Sequence, residues 1–410
     1  MPVRAMSGAL SHIKVLDLSR VLAGPWASQT LGDLGADVLK VERPGSGDDT
    51  RGWGPPFVEG EGGARQSAYF LSANRNKQSV AIDMANPAGA ALIKRLAAEA
   101  DIVVENFKVG GLARYGLDYE SLKAINPRLI YCSITGFGQE GPYAERAGYD
   151  FMIQAMGGLM SLTGEPDATG GGPVKVGVAL ADIMTGLYAT IGCLAALAAR
   201  DKTGTGQQVD IALMDVQVAT LANQALNFLV SGIAPGRMGN AHPNIVPYQA
   251  FAVADGHIVV AVGNDEQFRR FAAIAGAPGW AADPRFGTNA ARVANRTALI
   301  DLIRPVMLTR PLDDWRSALE AAGVPCGPIN TLDRVFDDVH VKDHELALEL
   351  PHPALGPVPS VASPLRLSET PVDYRSAPPL LGEQTDEALA RWLGFGEREL
   401  TALRTEGAIA

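Results

Sequence analysis

Apolar positions in the first third of the chain fall into two textures that alternate, short continuous runs and longer amphipathic stretches. Residues 13–18 (IKVLDL) are a short apolar run and predict a buried strand. The loop Ser19-Arg20-Val21-Leu22-Ala23-Gly24-Pro25 leads into a helix from Trp26, and residues 36–42 (ADVLKVE) predict the next strand. Such a β-α-β unit closes as a right-handed crossover in a parallel sheet. The texture repeats with a strand at 77–84, an amphipathic helix at 87–100 and a buried strand at 101–106 (DIVVEN). Helical segments at 110–115 and 119–125 and a strand at 129–135 (LIYCSIT) follow. Alternation of this kind predicts an α/β fold. Its ligands belong beyond the carboxyl ends of the strands, here the loops 19–25 and 42–48. Neither loop is a GxGxxG or a Walker sequence, so no dinucleotide or NTP motif is present.

Further on, a glycine-rich loop climbs into the apolar run 176–199, which holds a single charge, Asp182. A carboxylate in apolar surroundings is costly unless it is paired or used. Read alone, Asp182 is best taken as the N-cap of a buried helix. The sharper reading is a catalytic carboxylate at the positive end of that helix, its pKa kept low. Residues 209–230 predict a long, mostly apolar helix. The texture then changes: 237–248 is loop-like, 257–263 a strand, and 265–275, 290–308 and 312–323 are helical. The tail holds strands and turns over 351–367 and a helix at 386–393. This divides the chain into a large domain at 1–224, a small domain at 225–330 and a C-terminal part at 331–410 that returns to the first. The uncharged run 183–199 is short for a membrane span and predicts a core helix.

Composition adds exclusions. With 410 residues, 47% hydrophobic and 20% charged, the chain is an ordinary globular one, and its 45 glycines and 27 prolines imply many tight loops. A net charge of -10 argues against a nucleic-acid partner. Cys132, Cys193 and Cys326 stand far apart with no CxxC, which implies neither disulfide nor zinc and a reducing, cytoplasmic setting. The N-terminal MPVRAMSGALSH lacks the apolar stretch of a signal peptide. His340 and His344 are spaced i, i+4, but no third ligand is near, so no metal site is expected. Cys326, in Val-Pro-Cys-Gly-Pro, has no basic partner to activate it. Lys40, Arg43, Arg51, Arg75, Lys77 and Arg114 fall at or after predicted strand ends, an arrangement suited to phosphate. With Asn106-Phe107 and Gly110-Gly111, they suggest a ligand carrying several phosphates and a base.

Seven segments in order, VLDLSRVLAGPWASQTLGDLGADVLKVERPGSGDDTR, NKQSVAIDM, ADIVVENFKVGGLARYGLDY, GYDFMIQAMGGLMSLTG, VGVALADIMTGLYA, KTGTGQQVDIALMD and APPLLGEQTDEAL, resemble the family III CoA-transferases. The likeness runs from about residue 8 to 395. It implies a large Rossmann-like domain built from both chain ends, a smaller α+β domain and an interlocked-ring homodimer. CoA and acyl-CoA enter as substrates, with no permanently bound cofactor. It implies Asp182 as nucleophile, attacking an acyl-CoA to form an aspartyl anhydride and then an aspartyl thioester. Arg43 and Arg114 resemble the family's phosphate-binding arginines and Asn106-Phe107 its nucleotide contact. Arg75, Lys77 and Arg146 are added as CoA contacts, and Leu22 and Ala23 lie in the loop beside the active site. Where related acyl-CoA racemases carry Gly-His-Asp, this chain has Gly148-Tyr149-Asp150. The alternative function, an acyl-CoA racemase or isomerase acting by α-proton abstraction, therefore lacks its base. The segments GNAHPNIVPYQAF, VAVGNDEQF and GVPCGPIN look most similar to succinyl-CoA:glutarate-type transferases. A dicarboxylate acceptor follows, with Arg20, His242 and Asn244 as candidates to hold its far end.

Overall fold

A computed structural model describes residues 8–410; most of the segment used to exclude a signal peptide lies outside them. Six strands form one parallel sheet: β1 (Lys14–Asp17), β2 (Asp37–Glu42), β3 (Lys77–Ala81), β4 (Ile102–Glu105), β5 (Ile130–Thr135) and β6 (Gln208–Ala212). Their spatial order is β3-β2-β1-β4-β5-β6. Every pairing is parallel, with Leu16 set between Leu39 and Val103. Both faces are covered, as an all-parallel sheet requires. Leu16, Leu39 and Val103 point to one face, where Leu92, Ile93 and Leu96 of α2 (Pro87–Glu99) meet Leu389, Trp392 and Leu400 from the C-terminal helices. Val15, Val38 and Ile102 point to the other, against Ala27 and Leu31 of α1 (Ala23–Asp33). Ala189, Cys193 and Ala196 of a longer helix pack on this same face. Two-residue periodicity along each strand sorts these side chains.

The strands and helices read from residues 13 to 135 recur with shifts of a few residues at their ends. The prediction for 209–230 does not survive. Residues 208–212 pair with β5 as the sheet's edge strand, and the helices Leu213–Ala219 and Ala222–Ser231 follow. The stretch is apolar enough for either element. What decides is the open edge of β5, whose unpaired backbone groups need a partner. Residues 290–308 break at Asn295 into two helices. Two further strands, Tyr248–Val253 and Cys326–Pro328, lie where no strand was predicted.

The chain separates into two compact units. The first comprises Met1–Leu159, Val176–Leu226 and His340–Ala410, and the second Met160–Lys175 and Asn227–Val339. Residues 160–175, assigned above to the N-terminal domain, thus cluster with the second unit, where Arg237 donates to the Glu165 carbonyl and pairs with Asp167. That unit holds a three-stranded antiparallel sheet and a core that includes Phe268, Phe271, Phe286 and Trp315. In the first unit the C-terminal helix Thr385–Leu393 is tied to the start of β2, where Trp392 donates to Asp37 at 2.9 Å.

Candidate active site

The order β3-β2-β1-β4-β5-β6 reverses direction between β1 and β4, and open α/β sheets bind ligands in the crevice beyond such a switch point. Here the loops leaving the two strands are stitched together by one side chain. Asn106 accepts from the Arg20 amide at 2.9 Å and donates to the Arg20 carbonyl at 2.7 Å. The Phe107 amide donates to Glu105 at 2.8 Å, which braces the same turn, and burial raises the Glu105 pKa to about 7. A cavity of about 390 Å³ opens at this crevice, lined by Arg20, Arg43, Asp48, Phe107 and Tyr115 among others. Arg43 and Arg114 are exposed and in no ion pair among the described residues, and the Arg114 guanidinium lies 4.6 Å from the Tyr115 ring. Arg20 pairs with Asp49 at 2.9 Å. Arg146 does not join this group; it is exposed and stacks 4.5 Å from Tyr143.

Four of the six basic residues do not face this cavity with a free charge. Lys40 has no solvent exposure; it donates to the Ser19 carbonyl at 2.8 Å and pairs with Asp48 at 3.0 Å. Lys77, 2% exposed, is held by Asp17, Asn74 and the Pro25 carbonyl. Burial lowers its pKa to about 8, with Asp17 opposing. Arg75, 5% exposed, donates to both oxygens of Asp33 and to the Val361 carbonyl. Arg51 is taken by Glu42 and the Pro379 carbonyl. The assignment of Arg75 and Lys77 to CoA is therefore corrected: their charges neutralise buried carboxylates, which would otherwise be left unpaired at a cost of several kcal/mol. These charges also shape the site. Asp48, whose carboxyl is desolvated but held well below the usual range by Lys40 and Thr50, accepts from the Val21 amide at 3.2 Å. Val21 sits at φ 71, a left-handed conformation rare for a β-branched residue, and Asp48 helps to hold it there. Leu22 and Ala23 are buried and begin α1, whose first turn has no side-chain cap.

Asp182 is not an N-cap. The long helix, α4 (Leu180–Thr203), has Ala179 at that position with no side-chain cap bond, and Asp182 is its third residue. The cap comes from elsewhere. Asp150, first residue of α3 (Asp150–Met156), accepts from the Ala181 amide at 2.8 Å and the Asp182 amide at 3.4 Å. Asp182 itself is half-buried, and burial, with the Asp150 charge adding to it, raises its pKa to about 7. This reverses the expectation of a lowered pKa, because desolvation and a like charge outweigh the helix end. One turn further along α4, Gly186 is pressed onto α1: a Cβ there would stand 2.7 Å from the Ala23 carbonyl. Residues four apart share a helix face, so Asp182 lies about 6 Å along α4 from that crossing, by the uncapped end of α1. Tyr69 lies within electrostatic reach of Asp182, Asp150 and Asp48. Burial first, then the charges of Asp182, Asp150 and Asp48, push its pKa to about 12.

Asp182 does not line the Arg43 cavity. His242 and Asn244 belong to the second unit, where the His242 Nδ1 accepts from the Asn244 amide at 3.0 Å and the Asn244 carbonyl accepts from Asn289. Sequence reasoning overlooked Asp150, Tyr69 and Asp48. An acid before an apolar stretch signals a cap of its own helix, and nothing local signals that Asp150 caps a helix 30 residues away. His340 and His344 stack with ring centres 3.8 Å apart, and no group of three metal-ligating side chains occurs among the described residues.

Comparison with known proteins extends these observations. Residues 10–385 match CoA-transferase family III. The succinate–glutarate CoA-transferase of Agrobacterium fabrum is 51% identical over 382 residues, covering 93% of this chain and 95% of that protein. The human succinyl-CoA:glutarate CoA-transferase is 44% identical over 400 residues, covering 98% and 90% respectively. A crystal structure of a CAIB/BAIF family protein from Brucella suis superposes with a TM-score of 0.83 at 52% identity, covering 94% of this chain and all of that one. A parallel sheet with its crevice at the β1–β4 switch point, an exposed Arg43 lining it and a match over nearly the whole length lead to one assignment. The chain belongs to the family III CoA-transferases, enzymes that move CoA between carboxylic acids.

Proposed function

We propose that the protein transfers CoA from succinyl-CoA to glutarate with Asp182 as the nucleophile. The relatives named for this donor and acceptor pair, one of them 51% identical over 95% of its length, support the substrates. The observation that carries the mechanism is a half-buried carboxylate with a pKa of about 7 beside an uncapped helix end. A more basic carboxylate is a better nucleophile while still ionised in useful amount at neutral pH.

An Asp182 oxygen attacks the thioester carbonyl, the C–S bond breaks, and CoA leaves as thiolate, giving a succinyl–aspartyl anhydride. The thiolate attacks the Asp182 carbonyl carbon, the anhydride C–O bond breaks, succinate departs, and an aspartyl-CoA thioester remains. A glutarate oxygen then attacks that thioester and expels the thiolate. The thiolate takes the glutaryl carbonyl, releasing glutaryl-CoA and the free Asp182 carboxylate. Each step exchanges one acyl bond for another, so no net proton or electron is required. The Ala23 and Gly24 amides at the head of α1 are the donors we assign to the oxyanion. Arg43 and Arg114 take the CoA phosphates, and Phe107 with Tyr115 takes the base. Arg20 is proposed for the far carboxylate of the acceptor. We further propose a cytoplasmic homodimer. Free thiols at Cys132, Cys193 and Cys326 suit the compartment, and exposed Leu229, Val230, Leu332 and Val339 suit an oligomer.

The test is Asp182→Ala together with trapping. Wild-type protein given succinyl-CoA and then hydroxylamine should carry a hydroxamate on the Asp182 peptide, and the variant should lose transfer while keeping its circular dichroism. Turnover by the variant, or an unmodified Asp182 peptide during turnover, removes Asp182 from the mechanism.

A further inference from the structure

Outside the groups already assigned to chemistry, Asp150 is a carboxylate next to Asp182 with both of its oxygens engaged. One oxygen accepts from the first amides of α4, at Ala181 and Asp182. The other accepts from the Gln154 side chain at 2.7 Å, and Gln154 in turn accepts from the Val176 amide at 2.9 Å. The start of α3, the strap before α4 and the first turn of α4 are thus joined through one carboxylate and one amide. A helix start without its own cap leaves amides unsatisfied, and a carboxylate is the strongest acceptor for them.

We propose that Asp150 is a positioning residue for the transfer reaction: it caps α4 from outside, fixes the turn that carries Asp182, and keeps a second negative charge beside that nucleophile. This rests on the reading in which Asp182 is the nucleophile. The short helix Ala68–Leu71 carries Tyr69, which the Asp182 charge reaches, α1 meets α4 one turn away, where Ala23 and Trp26 lie against Gly186, and the helix Leu213–Ala219 carries Asp215, which is exposed. Asp150 is the charge that acts on Asp182, and it acts in the same direction as burial. Two carboxylates placed together resist a second ionisation, which makes the one that reacts a stronger base. Capping and charge are separable, because an asparagine oxygen caps a helix about as well as an aspartate.

The experiment compares Asp150→Asn and Asp150→Ala with wild type in kcat/KM against pH, with thermal unfolding alongside. Asp150→Asn should keep its unfolding temperature within a few degrees. Its acid limb should move down by roughly one pH unit, since burial, the larger cause, remains. Asp150→Ala should shift the limb likewise and also lose roughly 100-fold in kcat, the scale of an ångström-sized misplacement. An acid limb unchanged in both variants overturns the charge role, and wild-type kcat in Asp150→Ala overturns the positioning role. Either failure leaves hydroxylamine trapping at Asp182 intact. Loss of trapping in wild type would instead strike the nucleophile reading itself.

Discussion

Asp182 is a carboxylate kept where charge is disfavoured, and that has a thermodynamic signature. Its folded-state pKa of about 7 stands above the ordinary 3.8, so the native chain binds this proton more tightly than the unfolded chain does. Stability therefore falls as pH rises from about 4 to about 7, by no more than about 4 kcal/mol, and the deficit is complete above that window. Asp182→Asn should raise the unfolding temperature at pH 8 and lose that advantage near pH 4, read by thermal melts across pH. A variant no more stable at pH 8 than wild type would mean that the carboxylate is not strained by burial. Arg43 and Arg75 make the complementary case, one residue type in two roles. Arg43→Ala should raise KM for the CoA substrate about tenfold or more through lost charge-assisted bonds and leave the melting temperature unchanged. Arg75→Ala strands the buried Asp33 and should cost about 3–5 kcal/mol of stability with KM unchanged in whatever folds. From sequence the two look alike, because a strand-end arginine is the same letter whether it meets a ligand or a buried acid.

At the scale of elements, the crossing of α1 and α4 sets the site. Both helices pack on one sheet face, and Gly186 lets their backbones approach closely. Gly186→Ala puts a methyl group 2.7 Å from the Ala23 carbonyl, backbone that cannot swing aside. The helices must separate, which should cost roughly 1–3 kcal/mol, as overpacking does. Asp182, one turn away, should move with α4, so kcat should fall more than KM rises; thermal melts and steady-state kinetics read both. The hydrophobic pattern announced α4 correctly because its apolar run is long. It misplaced the cap because Asp150 reaches α4 through the fold, and it made a helix of β6 because only the edge of β5 selects a strand there.

For the whole molecule, the sheet's far face is closed by residues from the end of the chain. Leu389, Trp392 and Leu400 share a core with Leu16, Leu39 and Val103, and Trp392 donates to Asp37 at the foot of β2. A chain ending before Thr385 would expose that face, so it should fail to unfold cooperatively and should bind an apolar dye, measured by calorimetry and fluorescence. Retention of a sharp transition would show the C-terminal helices to be dispensable. What the sequence determined by itself is the set of parts. Period-two strands, amphipathic helices and the isolated Asp182 are local patterns, and the α/β class follows from their alternation. The resemblance of its segments to the CoA-transferases pointed to the family for the same reason, that motifs are written along the chain. The tertiary structure decided which charges are spent in the core, as with Lys40, Arg51, Arg75 and Lys77, and which stay free, as with Arg43 and Arg114. It also decided that Asp182 is capped by Asp150 and made more basic rather than less. Burial and through-space charge arise only when distant segments meet, and no local pattern encodes them.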